Sequence, residues 1–198
     1  MMTDLPKPIK DLAEEFAKLP SIGRKSAERF VFYLLQKQQK ELDDFSEKIK
    51  NLKTNITRCA VCGCIAEQNP CLICADGNRE QSTICVVVET RNIILIEKTK
   101  TYNGKYHVLG GLIDTAKKIM PENLNINSLI NRLQKNNVKE IIFALNPNFE
   151  GERTILYLQK ITAHLNIKTT RLARGLPSGA EIEYADESTL AEAIRHRF

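Results

Sequence analysis

Two closely spaced pairs of cysteines constrain the fold of this chain more than any other part of its sequence. Cys59 and Cys62 form one Cys-x-x-Cys pair, and Cys71 and Cys74 form a second pair after eight intervening residues. Two such pairs on tight turns can place four thiolates around one tetrahedral Zn²⁺ ion. An iron site of the rubredoxin type uses similar ligands, and the spacing does not distinguish the two metals. Four thiolates leave no position for water, so the expected role of the metal is structural.

The two remaining cysteines receive other interpretations. Cys64 is close enough to the first pair to compete as a ligand, but it breaks the symmetry of the two pairs, and we interpret it as a bystander. Cys85 lies in an apolar run and is interpreted as a small core residue. The sequence shows no export signal and no apolar run of membrane-spanning length. Reduced, metal-binding cysteines in a cytoplasmic protein are therefore expected instead of disulfides.

A helix, a short turn and a second helix precede the cysteine pairs. Amphipathic spacing predicts helices over 9–19 and 24–36, joined by a Leu-Pro-Ser-Ile-Gly turn. This is the pattern of a helix-hairpin-helix DNA-binding motif. Gly23 has no Cβ, so backbone N–H groups at the positive end of the second helix can approach a phosphate. Lys25 and Arg29 lie one helical turn apart and can reach flanking phosphates without reading base sequence.

The alternative for this region is an ordinary helical hairpin with solvated surface charges. The formal net charge of +5 permits a nucleic-acid partner without requiring one, so DNA binding through the hairpin is expected to be modest and sensitive to salt. A third amphipathic helix is predicted over 40–56. Its apolar face is expected to pack on the hairpin or on another subunit.

Beyond residue 79 the sequence alternates between strands and helices. Strands are predicted over 83–88, 105–109, 139–145 and 168–172, with helices between them and a short helix over 189–196. Such alternation implies a mostly parallel sheet with ligand sites at the carboxyl ends of its strands. The fold class is thus α+β with an α/β sheet domain. Four segments are predicted: a helix-hairpin-helix domain over 1–57, a zinc module over 58–79, a sheet domain over 80–175 and a C-terminal helical segment over 176–198.

Polar residues follow two of the predicted strands. Glu89 ends the first strand, and the loop Asn-Pro-Asn-Phe-Glu-Gly-Glu (146–152) follows the third. This arrangement resembles the Toprim domain, in whose topoisomerases and primases a glutamate and an Asp-x-Asp group gather Mg²⁺ for phosphoryl transfer. Asn146 and Asn148 stand at the two Asp positions. An amide oxygen adds no negative charge, so Mg²⁺ binding should be weak and two-metal chemistry largely lost.

The residues left at this predicted edge are Glu89, Asn146, Glu150 and Glu152. They are expected to meet a basic partner surface or a weakly held metal, and solvated loop carboxylates are the alternative. No tyrosine or serine has an identifiable activating partner. A Gly-Leu-Pro-Ser-Gly stretch (175–179) lacks the lysine and hydroxyl pair of a phosphate-binding loop. The sequence therefore predicts a protein that is not an enzyme.

The order of these motifs resembles the bacterial RecR family of recombination proteins. The segments LPSIGRKSAERF, TICVVVE, YHVLGG, NPNFEGE and ARGLPSG occur in the order of that family around the cysteine spacing, and the match covers nearly the whole chain. Residues 112–120 depart from the Ser-Pro and Gly-rich segment usual in the family. The loop geometry there is expected to differ, while the motifs themselves are unaffected.

The resemblance implies a non-enzymatic mediator that acts with RecO, and in many bacteria RecF, at gapped or junction DNA to promote RecA loading on single strands. It also implies ring-like homotetramers joined through the helix-hairpin-helix arms, contact with double- and single-stranded DNA, and association with the nucleoid. Lys25 and Arg29 correspond to its DNA contacts, and its zinc ligands correspond to the two cysteine pairs. Glu89 and the region 150–152 correspond to its partner-binding Toprim face. A Mg²⁺-dependent Toprim nuclease and a zinc-dependent DNA-binding regulator are the alternatives.

Overall fold

Three helices joined by turns form residues 5–55, which are the described part of the first of two compact units in the chain. The computed structural model describes residues 5–135 and 137–197. Along the sequence, the boundary between the two units falls between Asn55 and Ile56. The helices of the first unit are α1 (Lys7–Ala17), α2 (Arg24–Leu34) and α3 (Gln39–Asn51). Ala13, Ala27 and Val31 are buried between α1 and α2. The predicted helical hairpin is therefore confirmed.

The third helix ends earlier than the apolar spacing predicts. α3 stops at Asn51, whereas the pattern continues to residue 56. The backbone N–H and the hydroxyl of Thr54 both donate to the Asn51 carbonyl, at 3.2 and 2.8 Å. This local turn competes with helix propagation, as threonine side chains often do. The apolar face of α3 also stays largely uncovered: Ile49 is 59% exposed and Leu52 is 64% exposed.

The cysteine module contains short elements that the sequence patterns do not reveal. An antiparallel hairpin joins β1 (Thr57–Arg58) to β2 (Ile65–Ala66), and one helical turn forms α4 (Leu72–Ala75). Two-residue strands are too short to show the alternation by which a strand is recognised. The module belongs to the same compact unit as the sheet that follows.

A four-stranded parallel sheet forms the centre of the second unit. Its order is β4-β3-β5-β6, and each neighbouring pair is parallel, as predicted. The strands are β3 (Thr83–Val87), β4 (Lys105–Val108), β5 (Glu140–Ala144) and β6 (Lys168–Arg171). The helices are α5 (Thr90–Thr99), α6 (Ile126–Lys135), α7 (Phe149–Thr162) and α8 (Glu187–Arg195). The sequence pattern predicts that the helix before β5 runs over 127–136, and its last residue lies outside the described residues.

Strand β3 is buried on both faces, which explains its nearly continuous apolar sequence. Ile84 and Val86 point into a core formed with α6 and α7. Cys85 and Val87 point to the opposite face, where the clustered cysteines pack against them. The cysteine module is thus a layer on one face of the sheet. None of the helices in the described residues is both long and apolar enough to cross a membrane.

Candidate functional site

The cysteine module gathers its thiols into one small volume. The Sγ atoms of Cys59, Cys62, Cys64 and Cys71 all lie within 4.8 Å of one another, and all four residues are buried. Tetrahedral zinc with Zn–S bonds of about 2.3 Å separates its sulfur atoms by about 3.8 Å. The Sγ atoms of Cys62 and Cys71 are 3.7 Å apart, which fits this geometry. The donor set and spacing therefore fit one structural Zn²⁺ ion.

Backbone geometry holds the sulfur atoms in place. The N–H groups of Cys71 and Cys74 donate to the sulfur atoms of Cys59 and Cys71, both at 3.4 Å. Such bonds favour the thiolate form that binds metal. The first cysteine turn requires Gly63, whose φ is +77° and whose missing Cβ would lie 3.1 Å from the Val108 carbonyl oxygen. A side chain at this position would combine backbone strain with a crowded contact.

The thiols influence one another strongly. The hydrogen bond with Cys74 lowers the pKa of Cys62 to about 5. Burial raises the pKa of Cys64, and the nearby Cys62 adds to the increase. Proximity therefore favours one thiolate and keeps protons on its neighbours. A metal that binds here must displace those protons, so its affinity falls as the pH is lowered.

Two cations from outside the cysteine pairs support the module, and sequence reasoning missed both roles. The ammonium of Lys105, a residue only 2% exposed, donates to the carbonyls of Ile73, Cys74 and Asp76 at 2.8, 3.2 and 2.7 Å. These three acceptors satisfy all of its donors. Arg79 forms an ion pair with Glu97 on α5. A lysine at the start of a predicted strand that leads into Val108 and Leu109 is the one sequence signal for such a contact.

The predicted DNA-binding hairpin presents an open surface in the first unit. Gly23 caps α2 with an extended backbone, and a Cβ built on it would meet nothing within 4 Å. A ligand can therefore approach the backbone closely at Gly23. The residue of this turn with a left-handed backbone is Ser21, whose φ is 65°. Lys25 and Arg29 are exposed and have no acidic partner among the described residues. Arg24, also exposed at the start of α2, was not singled out from the sequence.

The predicted acidic residues lie at the carboxyl edge of the sheet. Val87 of β3 pairs with Ala144 of β5, so Glu89 and Asn146 each follow their strand by two residues on neighbouring strands. Asn148 caps α7, with its Oδ1 atom accepting from the Gly151 N–H at 2.9 Å. The chain passes so close here that a Cβ on Gly151 would lie 1.9 Å from the Asn146 carbonyl oxygen. Glycine is the residue this turn requires.

Arginines already neutralise two of the carboxylates at this edge. Glu152 accepts from Arg171 at 2.7 Å and also forms an ion pair with Arg174. Burial opposes ionisation of Glu152, and the two guanidinium groups outweigh it, so its pKa lies below the usual value. Glu89 pairs with Arg91 at 2.7 Å. Arg171, which ends β6, and Arg174 thus contact the acidic loop directly.

The edge does not form a ready cation site. Within residues 5–135 and 137–197, the thiol cluster is the only group of three or more Asp, Glu, His or Cys side chains close enough to share a metal ion. Glu89, Glu150 and Glu152 are therefore not gathered around a common point. Binding of Mg²⁺ here would also have to break the ion pairs of Glu89 and Glu152.

The fold and the sites define a class of protein: a Toprim-type sheet carrying a cysteine zinc module and preceded by a helix-hairpin-helix. Family models agree with this description along the chain. They match a RecR helix-hairpin-helix over 9–53, a RecR four-cysteine zinc finger domain over 56–76, a Toprim domain over 82–173 and a RecR C-terminal region over 175–197.

A curated relative confirms the family. The recombination protein RecR of Bifidobacterium animalis subsp. lactis is 49% identical over 189 residues, which cover 96% of this chain and 94% of the relative. This chain belongs to the RecR family of recombination proteins. The predicted family and fold class are confirmed, and a role in recombination and DNA repair with a structural zinc follows. The individual metal ligands, DNA contacts and Toprim-face residues, like the four segment boundaries, stay predictions.

Proposed function

We propose that this chain is a non-enzymatic recombination mediator that binds double- and single-stranded DNA without sequence preference. In this role it acts with RecO, and with RecF where present, at gapped or junction DNA to promote RecA loading on single strands. The observation that carries the DNA-binding part is the open surface formed by Gly23, Lys25 and Arg29. Unpaired cations beside a helix N-terminus suit the sugar-phosphate backbone and carry no base information.

A Zn²⁺ ion held by the cysteine module would be structural in this proposal. The two Cys-x-x-Cys pairs, Cys59 with Cys62 and Cys71 with Cys74, supply the predicted ligands. A closed set of thiolates offers no open position for a substrate. The ion would fix the cysteine loops against the β3–β4 face of the sheet, where these cysteines already share a core with Cys85 and Val87.

Assembly of several copies would compensate for the modest charge of one chain. An apolar groove of about 450 Å³ opens in the first unit, lined by residues of all three of its helices, including Leu12, Phe16, Leu35, Phe45 and Ile49. The exposed apolar face of α3 is the kind of surface that would fill this groove from a second copy of the chain. Arms joined in this way support a ring-like tetramer in which several weak phosphate contacts act together.

The carboxyl edge of the sheet is proposed as a partner surface. Glu89, Asn146, Glu150 and Glu152 present oxygen atoms beside Arg91, Arg171 and Arg174. A mixed surface of this kind suits exchange of ion pairs with a partner protein such as RecO or RecF. It does not suit phosphoryl-transfer catalysis, because two of its carboxylates are already paired and both Asp positions of the Toprim pattern carry amides.

Replacement of Lys25 and Arg29 tests the DNA-binding surface. The double variant Lys25→Ala/Arg29→Ala should bind DNA more weakly, and its slope of log affinity against log salt should fall by about 2 per chain, since two phosphate contacts are lost. Fluorescence anisotropy over a salt series measures this slope. Lys48→Ala/Lys50→Ala is the matched control, because it removes the same charge from an exposed part of α3. Equal loss in both variants would contradict a specific role for the hairpin.

Two assays separate the mediator from the alternative functions. Pure protein incubated with labelled DNA and Mg²⁺ or Mn²⁺ should cause no cleavage, and sustained metal-dependent cleavage would establish the nuclease instead. A binding screen over random duplexes should enrich no sequence. A selected site would favour the zinc-dependent regulator, whereas preference for gaps and junctions regardless of sequence supports the mediator.

A further inference from the structure

The thiol cluster contains one more cysteine than a tetrahedral ion can use. The four sulfur atoms within 4.8 Å of one another include Cys64, which the cysteine pairing leaves out. Cys74, which the pairing includes, is not one of these four, but it packs against them, and its backbone N–H donates to the Cys71 sulfur at 3.4 Å. Five thiols therefore surround one site, while structural zinc takes four ligands.

The surroundings of Cys64 make it a competent ligand and not a distant neighbour. The residue is 5% exposed, and its carbonyl accepts from the Cys59 N–H at 2.8 Å, which closes the first cysteine turn. That bond places Cys64 and Cys59 on facing sides of the same loop. Cys74, in contrast, is only partly buried and lies in the single turn of α4. Its backbone N–H is bonded to the sulfur of Cys71.

We propose that Cys59, Cys62 and Cys71 are constant ligands of the zinc ion and that Cys64 and Cys74 exchange in the fourth position. Each exchange breaks one Zn–S bond and forms another, and the released thiolate takes up the proton that the incoming thiol gives up. The number of thiolates and the charge of the site are unchanged. The chain thereby keeps a complete four-thiolate site when either Cys64 or Cys74 is lost to substitution or oxidation. This inference rests on the proposed zinc site.

Metal retention in single and double variants tests the exchange. The protein is loaded with Co²⁺, whose thiolate charge-transfer absorption grows with the number of bound thiolates, and with Zn²⁺ for titration against a chromophoric chelator. Cys64→Ser and Cys74→Ser should each keep the full charge-transfer intensity and one metal ion per chain. Cys64→Ser/Cys74→Ser should lose about a quarter of the intensity, because one of four thiolates is gone. Its zinc affinity should fall by more than the roughly 10–100-fold typical of outer-shell changes.

Two comparisons identify the cause of any change. Cys85→Ala removes a buried thiol that is not part of the cluster and should leave the metal spectra as in the wild type. If Cys74→Ser alone loses as much charge-transfer intensity as the double variant, while Cys64→Ser keeps the wild-type intensity, Cys74 is the sole fourth ligand. The proposal is then overturned. The reverse pattern overturns it equally. Absence of bound metal in the wild-type protein would instead contradict the proposed zinc site itself.

Labelling of the wild-type protein keeps the test independent of whether the variants fold. The zinc-loaded chain is treated with a thiol-alkylating reagent and digested, and the modified cysteines are identified by mass spectrometry. Exchange predicts partial modification at both Cys64 and Cys74, with at most one of them modified in each molecule that retains zinc. Modification confined to either residue would overturn the exchange.

Discussion

Single residues show how far burial changes chemistry in this chain. His107 lies in β4, where it pairs with Val86 of β3, and is 0% exposed. Its Nε2–H donates to the Asn125 carbonyl at 2.9 Å, which suits the neutral ring. Burial lowers the pKa of His107 from 6.5 to about 4, and the charge of Arg132 contributes in the same direction. The imidazole of the folded protein is therefore neutral at pH values well above about 4.

This histidine should make the second unit sensitive to mild acid. Because the folded pKa is below the unfolded value, the unfolded chain binds more protons between pH 6.5 and 4, and stability is lost as the pH falls through that window. The loss amounts to about 3 kcal/mol at its limit. His107→Gln, which can keep the bond to Asn125, should flatten the pH dependence of the unfolding free energy measured in urea.

The readout is the difference between variant and wild type, since the zinc site also loses affinity in acid. His164→Gln provides the control, because His164 is exposed in the same unit. If His107→Gln and His164→Gln change the pH dependence equally, burial of His107 is not the cause.

The packing of the three helices in the first unit explains why this unit has an exposed apolar surface. α1 and α2 bury their facing sides against each other, while α3 keeps Phe45 and Ile49 exposed at 43% and 59%. A helix of thirteen residues is marginal in water without a packing partner. Its apolar stripe therefore suits contact with another copy of the chain better than permanent contact with water.

A charge placed on this stripe should break the assembly. Ile49→Glu would bury a carboxylate against the apolar groove of a partner, and an unpaired buried charge is strongly unfavourable. The mass measured by multi-angle light scattering should fall to half of the wild-type assembly or less. Phe32→Glu is the matched control: Phe32 is 44% exposed on α2 and does not line the groove. A wild-type monomer, or an unchanged mass for Ile49→Glu, would contradict this role of α3.

On the scale of the whole molecule, the two units have separate cores. The buried residues of the first are Ala13, Ala27 and Val31, whereas the cysteines of the second pack with Val87 and Tyr106 of the sheet. The cysteine module is consequently part of the sheet core and not of the helical unit. Loss of zinc should therefore destabilise the cysteine module and the strands that it contacts.

Chelation of zinc should therefore loosen one unit selectively. Amide hydrogen exchange should increase over 57–79 and along β4, because the Val108 N–H donates to the Cys62 carbonyl at 2.7 Å. Exchange in α1 and α2 should stay unchanged and serves as the internal control. The same pattern is expected in limited proteolysis. Equal exchange along the whole chain, or unchanged protection of 57–79, would contradict a structural metal packed on the sheet.

Local sequence patterns by themselves determined the main features of this protein. Cysteine spacing, helical periodicity and β-branched runs depend on residues close together in the chain, so the metal module, the hairpin and the parallel strands were predictable. Only the tertiary structure decided the chemistry of the sites. Glu152 meets Arg171 because β6 lies beside β5, Lys105 reaches the carbonyls of α4 across about 30 residues, and Cys64 joins the thiol cluster through the closure of its turn. Side-chain partners of this kind are set by strand order and packing, which no local pattern records.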